Sequence, residues 1–246
     1  MSALRYACVA DGPGNPRLDE TLRRLAGAGY DGVALTLDDG ALLRPARPRR
    51  IAVLLDELGL ARAVEAGGRR GGAPSLLDDA RAQRVDLLRR AVDFAATIGA
   101  PVVSTWSGAV NGSLHVATAW DRLQDGCQRV LSYAQRRGLI LGLQPAPGML
   151  VECAADFDAL RQRLGRPPGF GMTLDLAGSS AEEVARVAPR LAHVRAGDAA
   201  PGTVAALAAS GYDGLVAVEL TRHAAPEVAP AALAALRALE PERAQR

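Results

Sequence analysis

The 246-residue chain contains no lysine: all 29 of its basic residues are arginine. Without a side-chain amine there is no Schiff base, no pyridoxal-phosphate anchor and no P-loop lysine, so those chemistries are excluded. Histidine and cysteine are scarce, three residues of each. Cys8, Cys127 and Cys153 lie far apart with no CxxC pair, which argues against a disulfide framework and against a thiolate zinc site. Charge of either sign is barely in excess, 29 basic against 27 acidic residues, so no net field draws the chain to nucleic acid or to a membrane surface. No apolar run approaches the ~18 residues of a membrane helix. Residues 1–10 lack the charged start and long apolar stretch of a secretory signal, so a cytoplasmic location is expected, and the sequon Asn111-Gly-Ser113 then has no meaning. A Gly-x-Ser-x-Gly elbow is missing, which leaves a hydrolase triad unsupported.

What is present is alternation. Short β-rich runs at 4–10, 32–37, 60–65, 101–106, 139–144, 170–175, 191–196 and 215–220 are each followed by a helical pattern, at 17–28, 50–58, 77–98, 119–137, 155–164, 181–188, 203–209 and 226–239. Within the longest of these, Leu87, Leu88, Ala91, Val92 and Ala95 return every three to four positions. Eight strand–helix pairs in a chain of this length predict an α/β fold, a (β/α)8 TIM barrel spanning residues 1–246 as one domain, with 241–246 as a frayed tail. The helix-to-strand junctions repeat as well. Gly29-Tyr30-Asp31-Gly32 and Gly211-Tyr212-Asp213-Gly214 each carry a glycine suited to a left-handed helix end and an aspartate suited to a tight turn.

In a barrel, chemistry sits at the C-terminal ends of the strands. Those positions offer Asp11, Asp38, Asp39, Glu65, Trp106, Ser107, Gln144, Glu152, Asp175, Arg195, Asp198, Glu219, Arg222 and His223, a polar rim with acids on several strands.

Four stretches, 90–103 (RAVDFAATIGAPVV), 141–152 (LGLQPAPGMLVE), 171–176 (GMTLDL) and 211–223 (GYDGLVAVELTRH), resemble the xylose isomerase-like TIM barrels, a superfamily of sugar and sugar-phosphate isomerases and epimerases with an endonuclease branch. The resemblance runs along essentially the whole chain. It implies a divalent metal held by a Glu after strand five, an Asp after strand six, a His after strand seven and a Glu after strand eight, the two glutamates doubling as acid and base. On this chain the strand-six and strand-eight positions are Asp175 and Glu219, which match. The strand-five position is Gln144. The strand-seven motif, usually His-x-His-x-x-Asp, reads His193-Val-Arg195-Ala-Gly-Asp198, with Arg195 at the ligand position. A further expected histidine is Gly178, and the Gly-Glu-Gly segment usual after strand seven is missing.

Physical chemistry draws one expectation from these departures. Glutamine offers a divalent cation only a carbonyl oxygen, and a guanidinium has no lone pair and keeps its proton. At ~4 Å and an effective dielectric of ~20, each unit of like charge costs about 4 kcal/mol. The metal is therefore expected to be lost and no other cofactor is implied. Arg195 would supply a cation to Asp175, Glu219 or both, and its remaining donors could stabilise an enolate or alkoxide. Glu219 or Glu152 would serve as base. The alternative is that Arg195 only plugs a vacated site.

The remaining candidates are peripheral. Arg44, Arg47, Arg49 and Arg50 after strand two, and Arg69 and Arg70 within Gly67-Gly-Arg-Arg-Gly-Gly72, could hold an anionic substrate or could be solvated loop arginines. Trp106 could stack on a sugar ring or cover the barrel top. His223 could shuttle a proton or make a loop hydrogen bond, with Arg222 beside it as a substrate contact. His115 lies after strand four, near the mouth, whereas His193 is expected to face away from the site. Cys8 reads as packing. The expected function is a metal-independent isomerase, epimerase or lyase acting next to a carbonyl on a small sugar-like or biosynthetic substrate. A metal-dependent isomerase recruiting His223 or Asp198, and a non-catalytic barrel binding a ligand or partner, are the competing readings. A small molecule is the expected partner, nucleic acid and membranes are not, and a homodimer is the default assembly.

Overall fold

The computed structural model describes residues 4–38, 47–67, 74–110, 112, 114–219 and 228–240. Asp39, Arg44, Arg69, Arg70, Asn111, Ser113, Arg222, His223 and the 241–246 tail lie outside the described residues.

The alternation closes on itself. In chain order the elements are β1 (Arg5–Asp11), α1 (Leu18–Gly27), β2 (Gly32–Leu37), α2 (Pro48–Glu57), β3 (Ala61–Ala66), α3 (Arg81–Ile98), β4 (Val102–Trp106), α4 (Val116–Gln135), β5 (Ile140–Gln144), α5 (Ala154–Arg163), β6 (Phe170–Asp175), α6 (Ala181–Val187), a 3-10 turn (Ala188–Arg190), β7 (Leu191–Ala196), α7 (Pro201–Ala209), β8 (Leu215–Val218) and α8 (Val228–Ala238). The strands pair in parallel from β1 through β8, and β8 returns to β1, giving a closed (β/α)8 barrel. Strand period decides the layers. Along β1, Tyr6, Cys8 and Ala10 face the helices and join the main core with Val33, Leu35 and Leu37 of β2 and their counterparts around the ring. The alternate residues Ala7, Ala34, Ala63, Val102, Leu215 and Ala217 form a separate cluster inside the barrel. Small side chains fill the lower lumen, while polar residues occupy the level above.

The repeated junction works as its sequence suggests. Gly29 and Gly211 sit at φ 85° and 76°, the left-handed region that ends a helix cheaply only for glycine. Asp31 does more than turn the chain: its Oδ2 accepts the Tyr6 N–H at 2.9 Å, stapling the start of β2 to β1. Helix α3 begins at Arg81 and not at 77 as the apolar pattern suggests. The Asp78 carboxylate accepts the Ser75 N–H at 2.6 Å and Ser75 Oγ accepts the Leu77 N–H at 3.1 Å, so side chains take over backbone groups and hold this stretch as a turn. None of the three cysteines is in a disulfide, and burial pushes the Cys127 thiol up to about 12, leaving it unreactive. Among the described residues no helix is long and apolar enough to cross a membrane.

Candidate active site at the barrel mouth

Inward-pointing residues at the strand ends build the mouth. Arg195, the fifth residue of β7, points inward with Glu65 of β3, which lies across the lumen, and reaches Glu219 just beyond β8. Arg195 Nη2 donates a hydrogen bond to Glu219 Oε2, and its Nε lies 3.5 Å from Glu65 Oε1. The same Glu65 oxygen lies 3.3 Å from His193 Nε2. The chain His193–Glu65–Arg195–Glu219 thus runs from the interior to solvent: His193 is 1% and Glu65 2% exposed, whereas the Glu219 side chain is 63% exposed.

A carboxylate as buried as Glu65 should resist ionising. Burial pushes its pKa up, but the His193 hydrogen bond and the Arg195 guanidinium, with the charge of His193 as a further pull, outweigh that and hold it below the ordinary glutamate range. An ionised carboxylate only accepts hydrogen bonds, so His193 presents Nε2–H to it.

His193 does not face away from the site as the sequence suggested. In the β6–β7 register Met172 lies opposite Leu191 and Thr173 opposite His193, so Ala192 is one extra residue on β7. Such a bulge turns two neighbouring side chains to the same side. Ala192 packs on the lumen cluster and His193 reaches Glu65, both inside the barrel. A Cβ on Gly171 would stand 2.6 Å from Ala192 Cβ, so the absent side chain on β6 makes room for the bulge. Glu65 was one of many rim acids in the sequence. Its signal was alternation: Ala61, Ala63 and Glu65 share a face, and only the last carries charge.

The other candidates disperse. Asp175 stands opposite Arg195 in register, but its Oδ1 accepts the Ala177 N–H at 3.1 Å; among the described residues the carboxylates paired with Arg195 are Glu219 and Glu65. Glu152 folds back on its own loop, where Oε1 accepts the Gly148 N–H at 3.0 Å. Gln144 is buried at the end of β5, beside Trp106, which is half-buried with its indole N–H unpaired among the described residues. Ser107 is structural: its Oγ accepts the Val151 N–H at 3.1 Å and ties the loop after β5 to the loop after β4. His115 is exposed at the start of α4 with no capping bond from its side chain, and Asp198 is exposed after β7.

The donor set does not fit a divalent cation. Glu219, the best-placed carboxylate, already carries the Arg195 guanidinium, and the neighbouring strand end contributes the neutral amide Gln144. Among the described residues no three His, Cys, Asp or Glu side chains converge as ligands would.

Comparison with known proteins agrees with this architecture. A family model described as a xylose isomerase-like TIM barrel matches residues 22–239. Of the solved structures, the D-allulose 3-epimerase of Methylomonas sp. superposes with a TM-score of 0.81 at 16% identity, covering 97% of this chain and 99% of that one. The 3-keto-D-glucoside 4-epimerase of E. coli gives 0.81 at 15% identity, over 96% and 100%. An L-ribulose 3-epimerase gives 0.76 at 17% identity, over 99% and 89%. At such identities the likeness is one of fold. No curated protein sequence matches the chain closely enough to count as a relative.

Proposed function

The chain belongs to the xylose isomerase-like TIM barrel family, and from that premise we propose that it is an isomerase or epimerase of small sugar-like substrates, moving a proton next to a carbonyl, with Arg195 in the place of a divalent metal. One observation carries this reading: the guanidinium is held between a buried carboxylate, Glu65, and a solvent-facing one, Glu219, at the barrel mouth. The solved neighbours named above as D-allulose, 3-keto-D-glucoside and L-ribulose epimerases support the substrate class.

The roles follow from exposure and charge. Glu219 is the base, since its carboxylate faces solvent and its second oxygen has no partner among the described residues. It removes the proton from the carbon beside the carbonyl, and the electron pair moves onto the carbonyl oxygen. That oxygen, now anionic, takes donors from Arg195; a full charge ~4 Å away is worth about 4 kcal/mol at an effective dielectric of ~20. Return of the proton to the former carbonyl carbon, with the proton of the adjacent hydroxyl passing to the anionic oxygen, isomerises the sugar, and delivery of a proton from water to the other face of the original carbon epimerises it. Glu65 and His193 position Arg195, and Trp106 offers an aromatic edge above the mouth.

The test is proton exchange. In D2O the protein should wash deuterium into the carbon next to the carbonyl of D-fructose, D-allulose, D-tagatose or L-ribulose, read by NMR. Glu219→Gln should slow exchange about 10²- to 10⁴-fold, the span of a lost general base. Exchange from none of the four, or exchange that survives Glu219→Gln, would overturn the proposal.

A further inference from the structure

The opposite end of the barrel holds a cavity that this chemistry does not use. It measures about 430 Å3 and is bounded by the starts of strands and the loops that enter them, among them Arg5, Ala61, Arg62, Val102, Ala192 and Leu215. The small lumen residue Ala63 lines it, together with Val102 and Leu215. His193 lines it too.

His193 is what makes the cavity more than a void. The ring is 1% exposed, its Nε2 is on Glu65, and its Nδ1 is buried without a partner among the described residues. A buried ring nitrogen left unpaired carries the full cost of its desolvation, so such atoms are ordinarily satisfied. Because Nε2–H is committed to an ionised carboxylate, Nδ1 carries a lone pair on the neutral ring and an N–H on the charged one, and either needs a polar partner. A hydroxyl fits it.

The charged groups around the cavity add a second requirement. Arg5 donates from Nε and Nη2 to the Asp213 carbonyl, and Arg62 donates from Nη2 to Asp56 Oδ1 at 2.7 Å. Each guanidinium has five donors, so the others remain for a ligand. Asp56 is the acidic residue lining the cavity, against Arg5 and Arg62, which leaves an excess of one positive charge before His193 is counted.

We infer that the floor of the barrel is a second ligand site, for a small hydroxylated oxyanion that places a hydroxyl on His193 Nδ1 and its carboxylate or phosphate on Arg5 and Arg62. The class is that of hydroxy acids, sugar acids and sugar phosphates. A ligand with only one of the two features leaves either the imidazole or the guanidiniums unanswered. The site opens at the other end of the barrel and shares His193 with the chain that positions Arg195, but it does not rest on the reaction proposed at the mouth.

Calorimetric titration of the full chain with D-glycerate, acetate, glycerol and glycerol 3-phosphate tests it. D-glycerate or glycerol 3-phosphate should bind at least about tenfold tighter than acetate or glycerol. Which of the two wins identifies the source of the anion. Arg62→Gln, a change at the cavity edge, should weaken that binding about tenfold, whereas Glu219→Gln should leave it intact. With the three histidines assigned by 15N NMR, the His193 Nδ1 resonance should move on binding and those of His115 and His223 should not. Equal binding of all four compounds, no binding, or binding lost in Glu219→Gln but kept in Arg62→Gln would overturn the inference.

Discussion

At the scale of single residues, Arg195 joins two groups with different needs. Glu219 is exposed, and its pairing with Arg195 contributes at most about 1 kcal/mol to stability. Glu65 is buried, and removing its guanidinium leaves a carboxylate with His193 alone. Arg195→Ala should therefore destabilise the fold by about 3–5 kcal/mol in urea titrations, whether or not the protein is an enzyme. Glu219→Gln, costing little stability, is the cleaner probe of chemistry. The Glu65 carboxyl also makes stability depend on pH. Its folded pKa lies below the ordinary 4.5, so its contribution is complete above that value and is lost as pH falls through the lower folded value. Urea midpoints measured downward from pH 6 should fall more steeply for the wild type than for Glu65→Gln. Equal slopes would mean that Glu65 is not held ionised.

At the scale of elements, the strands were easier to read than the groups they bring together. The patterns at 32–37, 170–175 and 191–196 coincide with β2, β6 and β7 because a buried parallel strand bounded by glycine or proline leaves little choice of ends. The start of α3 was misread because serine and aspartate compete locally for backbone N–H groups, an effect apolar spacing does not register. The β7 bulge was not legible either, since it depends on the space left by Gly171 on the neighbouring strand. Gly142 of β5 plays a comparable part. Ser104 and Thr173 share a hydroxyl hydrogen bond of 2.7 Å across it, and a Cβ there would lie 2.7 Å from Thr173 Oγ1 and 3.0 Å from Ser104 Oγ. Gly142→Ala should break that bond and destabilise the protein by about 1–3 kcal/mol, seen as a lower thermal midpoint. An unchanged midpoint would show that the two hydroxyls can part without cost.

At the scale of the whole molecule, the barrel opposes two ends of different character. The mouth carries carboxylates answered by an arginine, and the floor carries arginines around a cavity and an imidazole nitrogen unpaired among the described residues. If Arg195 supplies the cation of the mouth, the folded protein has no use for a divalent ion. Protein incubated with Mn2+ and freed of excess should then carry far less than one metal per chain by mass spectrometry. Neither its thermal midpoint nor its exchange activity should change with EDTA. Near-stoichiometric metal would return the chain to metal-dependent chemistry.

The barrel itself was determined by the sequence alone, through eight alternations of strand and helix and the Gly-Tyr-Asp-Gly junctions. The expectation that Arg195 and Gln144 stand where the family pattern has metal ligands also came from the sequence. Local patterning suffices for these because hydrophobic period and turn chemistry act between near neighbours. Only the tertiary structure decided which acids meet Arg195. Glu65 lies 130 positions before Arg195 yet becomes its buried partner, while Asp175, on the adjacent strand, turns to its own backbone. A closed barrel brings opposite walls together across its axis. That proximity depends on strand register, a bulge and the absence of two side chains, and none of these leaves a mark on the composition or the period of a single strand.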